Sequence, residues 1–193
     1  VLLLTGAGTA FCAGGNVKGM GGNRDKKKLE MSHDERVADL QERQRLLTGA
    51  LVSVRKPTIA ALPGPAVGAG LALAMACDIR YVGLDSSLAA PFTRLGMHPG
   101  MLTTWSLTRS SSLSVARDLL LTGRTVRGEE AVRLGLASRA VPGGEVLDAA
   151  MESADAADGA WVARGGDARR VHRAVRALIA TATGDASIAR GGG

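Results

Sequence analysis

The stretch from Thr58 to Cys77 runs for twenty residues without a charged side chain. A run of that length either spans a bilayer or is buried inside a protein. Pro63-Gly64-Pro65 interrupts it, and Gly68 and Gly70 follow. Proline removes a backbone donor and glycine raises the entropy cost of order, so a continuous membrane helix does not fit. The run reads as a buried strand over 58–62, a turn over 63–70 and a buried helix opening at Leu71. No membrane span is expected.

Other apolar runs follow the same logic. Val1–Leu4, Ile79–Val82, Ser87–Ala90 and Ala137–Val141 read as strands. Leu40, Leu47, Leu51 and Val54 recur at helical spacing, which predicts an amphipathic helix stopped by Pro57. Helices are also predicted over 103–109, 114–121 and 128–134, the second ended by Gly123. The strands are continuous apolar runs lying between helices. That pattern predicts an α/β fold with strands buried on both faces. From Pro142 the pattern weakens. We expect a core over 1–142, then a helical segment over 143–193 with a disordered Gly-rich tail.

Composition narrows the class further. Hydrophobic residues at 46% exclude disorder for most of the chain. Aromatics are only 3%, so the core must be built from Leu, Val and Ala. The net charge of +6 reads either as a solvated Arg-rich surface or as a match to a phosphate-bearing partner. Arg169, Arg173 and Arg176 share a helical face, but no aromatic interleaving supports a nucleic-acid platform. Cys12 and Cys77 lack metal-ligand spacing, so no metal is expected. They read as reduced thiols of a cytoplasmic or organelle-matrix protein.

Two Gly-rich segments follow strands: Gly6-Ala7-Gly8 with Gly14-Gly15, and Gly64 to Gly70. No Gly-Lys-Ser/Thr follows either, so neither is a P-loop. Phe11 and Leu73 stand where the dinucleotide fingerprint needs its third glycine. What remains is tight turning, or a pair of strand-to-helix turns whose backbone N–H groups converge on one oxyanion.

At these residues the sequence resembles the crotonase (enoyl-CoA hydratase/isomerase) superfamily. The matching pieces are LLTGAGTAFCAGGNVKGM (Leu3–Met20), KPTIAALPGPAVGAGLALAMACDIR (Lys56–Arg80), APFTRLGMHPGM (Ala90–Met101) and LLLTGRTVRGEEAVRLGLASRAVP (Leu119–Pro142). The resemblance implies a crotonase-like (ClpP/crotonase) spiral of ββα units, N-terminally truncated relative to the family, assembling as homotrimers or hexamers. It implies an acyl-CoA thioester as ligand or substrate and no separate cofactor. The thioester oxygen would sit between the backbone N–H groups of Gly15 and Ala69. Ala13 and Asn16 would border the adenine. Lys18 would face the CoA phosphates, or be an ordinary surface lysine.

The chain departs from the family where side-chain chemistry is expected. The two glutamates that hydratases use align with Ala72 and Phe92, and the aspartate of some isomerases aligns with Gly100. None of the three can move a proton. Phe92 would line an apolar acyl pocket. His98, Arg94, Thr93 and Thr103 are the remaining polar candidates near it. Of these, His98 alone titrates near neutral pH, as a base or as a structural residue. The sequence therefore implies an acyl-CoA-handling protein that is not an efficient hydratase, or a non-catalytic acyl-CoA binding or carrier protein on the same fold.

Overall fold

A computed structural model describes residues 1–16 and 31–162, with the side chains of 158–162 excepted. Lys18, Arg169, Arg173, Arg176 and the Gly-rich tail lie outside the described residues. The elements are β1 (Leu2–Thr5), α1 (His33–Gln44), a π-helical turn (Arg45–Gly49) and a last turn (Ala50–Val52). Then follow β2 (Thr58–Leu62), β3 (Ala66–Val67), α2 (Ala69–Met75), β4 (Ile79–Gly83) and β5 (Ser87–Ala89). A 3₁₀ turn (Thr93–Leu95), α3 (Thr103–Ser110), α4 (Leu113–Thr122) and β6 (Thr125–Arg127) come next. The described part closes with α5 (Gly128–Arg133), β7 (Arg139–Val141) and α6 (Val146–Val162).

The strands form two sheets. One is fully parallel, in the order β1-β2-β4-β7. The other, β3-β5-β6, pairs β3 with β5 in parallel and β5 with β6 antiparallel. Parallel neighbours require crossovers, and each crossover here carries helix.

β2 shows why its sequence has no polar alternation. Ala60 and Leu62 enter the main core with Leu71, Val82, Leu88, Leu107 and Val126. Ile59 and Ala61 face a second core closed by α6 through Val146 and Ala150. Both faces of the strand are dry, and every β2 residue is buried. Each fully buried Leu, Ile or Val contributes about 1.5–3 kcal/mol. The expected strand over 58–62 and the αL cap at Gly123 are both present. α6 was only faintly visible in the sequence, yet it packs on the parallel sheet. Tyr81 Oη and Ser153 Oγ share a hydrogen bond across that contact.

α1 starts with a capping box. Ser32 Oγ accepts from Glu35 N at 3.2 Å, and Ser32 N donates to Glu35 Oε2 at 2.7 Å. These bonds hold the Glu35 carboxyl below the usual carboxylate range.

Cys77 is buried, and burial pushes its thiol up to about 12. The thiolate is the reactive form, so Cys77 is expected to be inert in the folded protein. Thiol titration near pH 8 should count Cys77 only after denaturant is added. Modification of Cys77 at the rate of the unfolded chain would contradict its placement in the core.

Candidate active site

The two Gly-rich loops dock on each other through backbone. Phe11 N and Cys12 N both donate to Pro65 O, at 3.1 and 3.0 Å, and Val67 N donates back to Cys12 O at 3.0 Å. A Cβ at Gly70 would stand 2.0 Å from Cys12 O, and one at Gly64 would stand 1.8 Å from Thr9 O. Only glycine lets the chains approach so closely. Gly14 has φ +87° and presses against Val67 O. Gly68, at φ +56° and ψ −116°, turns the chain into α2. Ala69 is the first residue of that helix, so its N–H has no acceptor within it.

Beside this docked pair lies a cavity of about 550 Å³. Ala13, Gly15, Ala69, Phe92 and His98 all line it. The structure thus brings both loops and the side chains of Phe92 and His98 to one cavity. The wall also includes Leu40, Leu47, Leu95, Met97 and Met101. None of its described residues is Asp or Glu. Asn16 is exposed and is not part of this wall.

Three of the polar candidates point elsewhere. Thr93 Oγ1 donates to Leu120 O and Leu121 O, each at 3.2 Å. Arg94 Nε donates to Thr122 O at 2.9 Å. Both serve the open carbonyls at the C-terminal end of α4. Thr103 Oγ1 donates to Gly100 O at 2.6 Å and is fully buried. Ala72, at the first glutamate position, is fully buried in α2 and does not line the cavity. Gly100 and Phe92 do.

Gln44 was missed. It stands on α1 four residues after Leu40 and three before Leu47, so the helical face that revealed those leucines also contains it. Its Oε1 accepts from Met101 N at 3.0 Å. Met101 and Leu102 are both left-handed, at φ 55° and 61°. Each such residue costs roughly 1–2 kcal/mol unless it is glycine. The Gln44 carboxamide therefore braces a strained turn in the cavity wall. Its Nε2 occupies the space beside Gly100, 2.9 Å from where a Cβ would stand. Arg43, also on the wall, is paired with Asp39, its Nε lying 2.9 and 2.8 Å from the two carboxylate oxygens.

A parallel sheet with helical crossovers, a small second sheet and two interlocked glycine loops define a crotonase-like α/β protein. The family described as enoyl-CoA hydratase/isomerase matches residues 1–163. A Mycobacterium tuberculosis protein described as "probable enoyl-CoA hydratase EchA14" is 43% identical over 140 residues, 70% of this chain and 50% of its own. The human enoyl-CoA hydratase domain-containing protein 2, mitochondrial, is 35% identical over 156 residues, 81% of this chain and 50% of its own. The crystal structure of an enoyl-CoA hydratase from Polaromonas sp. JS666 superposes with a TM-score of 0.69 at 27% identity, covering 79% of this chain and 57% of that one. The chain belongs to the enoyl-CoA hydratase/isomerase family. It spans about half the length of the curated relatives it matches.

The loop contact is open to test by a pair of substitutions. Gly70→Ala drives a methyl group into Cys12 O and should destabilise by about 3 kcal/mol or more. Gly8→Ala meets nothing within 4 Å, and should stay within about 0.5 kcal/mol of the parent. Equal denaturation midpoints for the two variants would refute the docking geometry. Leu102→Gly relieves the left-handed strain at a partly exposed position and should stabilise by about 0.5–1 kcal/mol. A clear loss of stability in the same denaturation series would contradict the strained turn.

Proposed function

We propose that this chain binds an acyl-CoA thioester in the 550 Å³ cavity, with the carbonyl oxygen between the N–H groups of Gly15 and Ala69. The observation that carries the reading is that backbone from both glycine loops meets at one largely apolar cavity. Fixed backbone donors stabilise an oxyanion because they need no reorganisation when the charge forms. Ala69 in place of glycine does not weaken that role, since the backbone supplies the bond. Leu40, Leu47, Phe92 and Met101 would surround the acyl chain.

Water addition to an enoyl thioester needs one group to take a proton from water and another to protonate the α-carbon. Positioned acid–base groups supply roughly 10²- to 10⁴-fold each. Ala72 and Phe92 supply neither. The protein is therefore read as a thioester-polarising member of its family with little hydratase activity, and His98 as the candidate base at the cavity. The same carboxylate-free wall supports a second reading, a non-catalytic acyl-CoA binder or carrier. Assembly as a homotrimer or hexamer belongs to this proposal. No described helix is long and apolar enough to cross a membrane, and a cytoplasmic or matrix location is part of the same reading. Lys18 and Asn16 are proposed to meet the CoA portion.

Calorimetric titration with saturated and unsaturated acyl-CoA should show saturable binding, while hydration of crotonyl-CoA should be lower by at least roughly 10³ than in a hydratase that holds both glutamates. Absence of any acyl-CoA binding would sink the proposal. Turnover that disappears in His98→Ala would select the enzyme over the carrier.

A further inference from the structure

A second cavity, of about 280 Å³, shares no lining residue with the first. It lies where the start of β2, the C-terminal end of α2, Arg80 of β4 and the middle of α3 come together. Its wall holds two arginines, Arg80 and Arg109, that form no ion pair with a described residue.

Arg80 is only 7% exposed. Its Nε donates to Leu136 O at 2.7 Å and its Nη1 donates to Cys77 O. Both acceptors are neutral carbonyls, and no described carboxylate forms an ion pair with this guanidinium. A guanidinium has five N–H donors, so two bonds leave it under-satisfied. Burying a charge is costly, and burial pulls the Arg80 pKa down against the attraction of nearby Asp78, which makes no ion pair with it. Asp78 is the acidic residue on the wall. Its Oδ2 is turned to Thr58, accepting from N at 2.8 Å and from Oγ1 at 2.7 Å.

Arg109 adds a second cation. Its guanidinium lies over the Trp105 ring, 4.7 Å from the centroid, and makes no ion pair with a described residue. The stacking holds the planar fork in place and leaves its edge donors open. Ser106 lies between these residues in the chain, at 2% exposure. Its Oγ is the one buried side-chain polar atom among the described residues with no hydrogen-bond partner. Native proteins rarely leave such an atom unsatisfied.

Two cations, one engaged carboxylate and an orphaned hydroxyl around one cavity call for an acceptor-rich anion. A water molecule takes roughly 30 Å³ in the liquid, so the space admits a small oxyanion with some hydration. We propose that this cavity is a binding site for a small oxyanion, of phosphate or carboxylate chemistry, held by Arg80, Arg109 and Ser106. Arginine's fork suits both chemistries.

The test is a calorimetric titration of the full chain with inorganic phosphate and, separately, with malonate. Sodium chloride at matched ionic strength is the reference. Saturable binding of one or both is expected, with a matching rise in thermal midpoint. Phosphate alone binding would assign the site to phosphate, malonate alone to carboxylates, and either supports the proposal. Arg109→Gln should weaken binding by roughly tenfold or more, and Ser106→Ala by roughly three- to tenfold. Arg80 is left intact because its side chain is buried. No saturable binding of either anion beyond chloride would overturn the proposal. So would wild-type affinity in both variants. The wild-type titration decides on its own should a variant fail to fold.

Discussion

The structure depends on the close approach of two backbone loops. Residues 6–14 and 63–70 lie so near each other that a methyl group at Gly64 or Gly70 would fall far inside van der Waals contact with a carbonyl on the opposing loop. The exchange of hydrogen bonds between Cys12, Pro65 and Val67 fixes their register. This contact places Gly15 beside the start of α2 and brings Gly15 and Ala69 to one cavity. The parallel sheet beneath supplies the rigidity. β1 and β2 run side by side from Leu2 and Thr58, so the loops that follow them leave the sheet at the same level.

Above that backbone platform the cavity differs from what proton-transfer chemistry requires. Its side chains are mostly aliphatic or aromatic, and its polar members are an arginine tied to Asp39, a glutamine bracing a strained turn, and His98. Strain at Met101 and Leu102 persists because Gln44 and the N-terminal turn of α3 hold both sides of it. The proposed backbone donors would polarise a carbonyl, while the side chains of the wall favour containment of an apolar group. This division underlies both functional readings, and it locates the difference between them at His98 alone.

Much of this was legible in the sequence, for reasons that particular residues make plain. Thr58–Leu62 could be read because a strand dry on both faces must be continuously apolar. Gly123 could be read because a left-handed cap favours glycine. The glycine loops could be located, but only the coordinates show which glycines face a carbonyl and which, like Gly8, face open space. Gln44 escaped notice because its partner Met101 is 57 residues away and no local pattern links them. Thr93 and Arg94 were placed near the acyl pocket by proximity in sequence. Their side chains instead serve the end of α4, whose unpaired carbonyls lie nearer. β3 has two residues, too few to show any period. α6 was faint because a helix rich in alanine makes little hydropathy contrast while still filling a flat contact on the sheet.

Backbone N–H groups from both loops are proposed to polarise a thioester carbonyl. Ala69 stands at the first position of α2, where proline is tolerated and the N–H is lost. The most direct measurement is the infrared stretch of a carbonyl-labelled acyl-CoA bound to the parent protein and to Ala69→Pro. Two donors weaken the C=O bond, so the account predicts a clear shift to lower frequency on binding to the parent. Most of that shift should vanish in Ala69→Pro while the thioester remains bound. A bound carbonyl that absorbs at the frequency of the free thioester in the parent protein would contradict it.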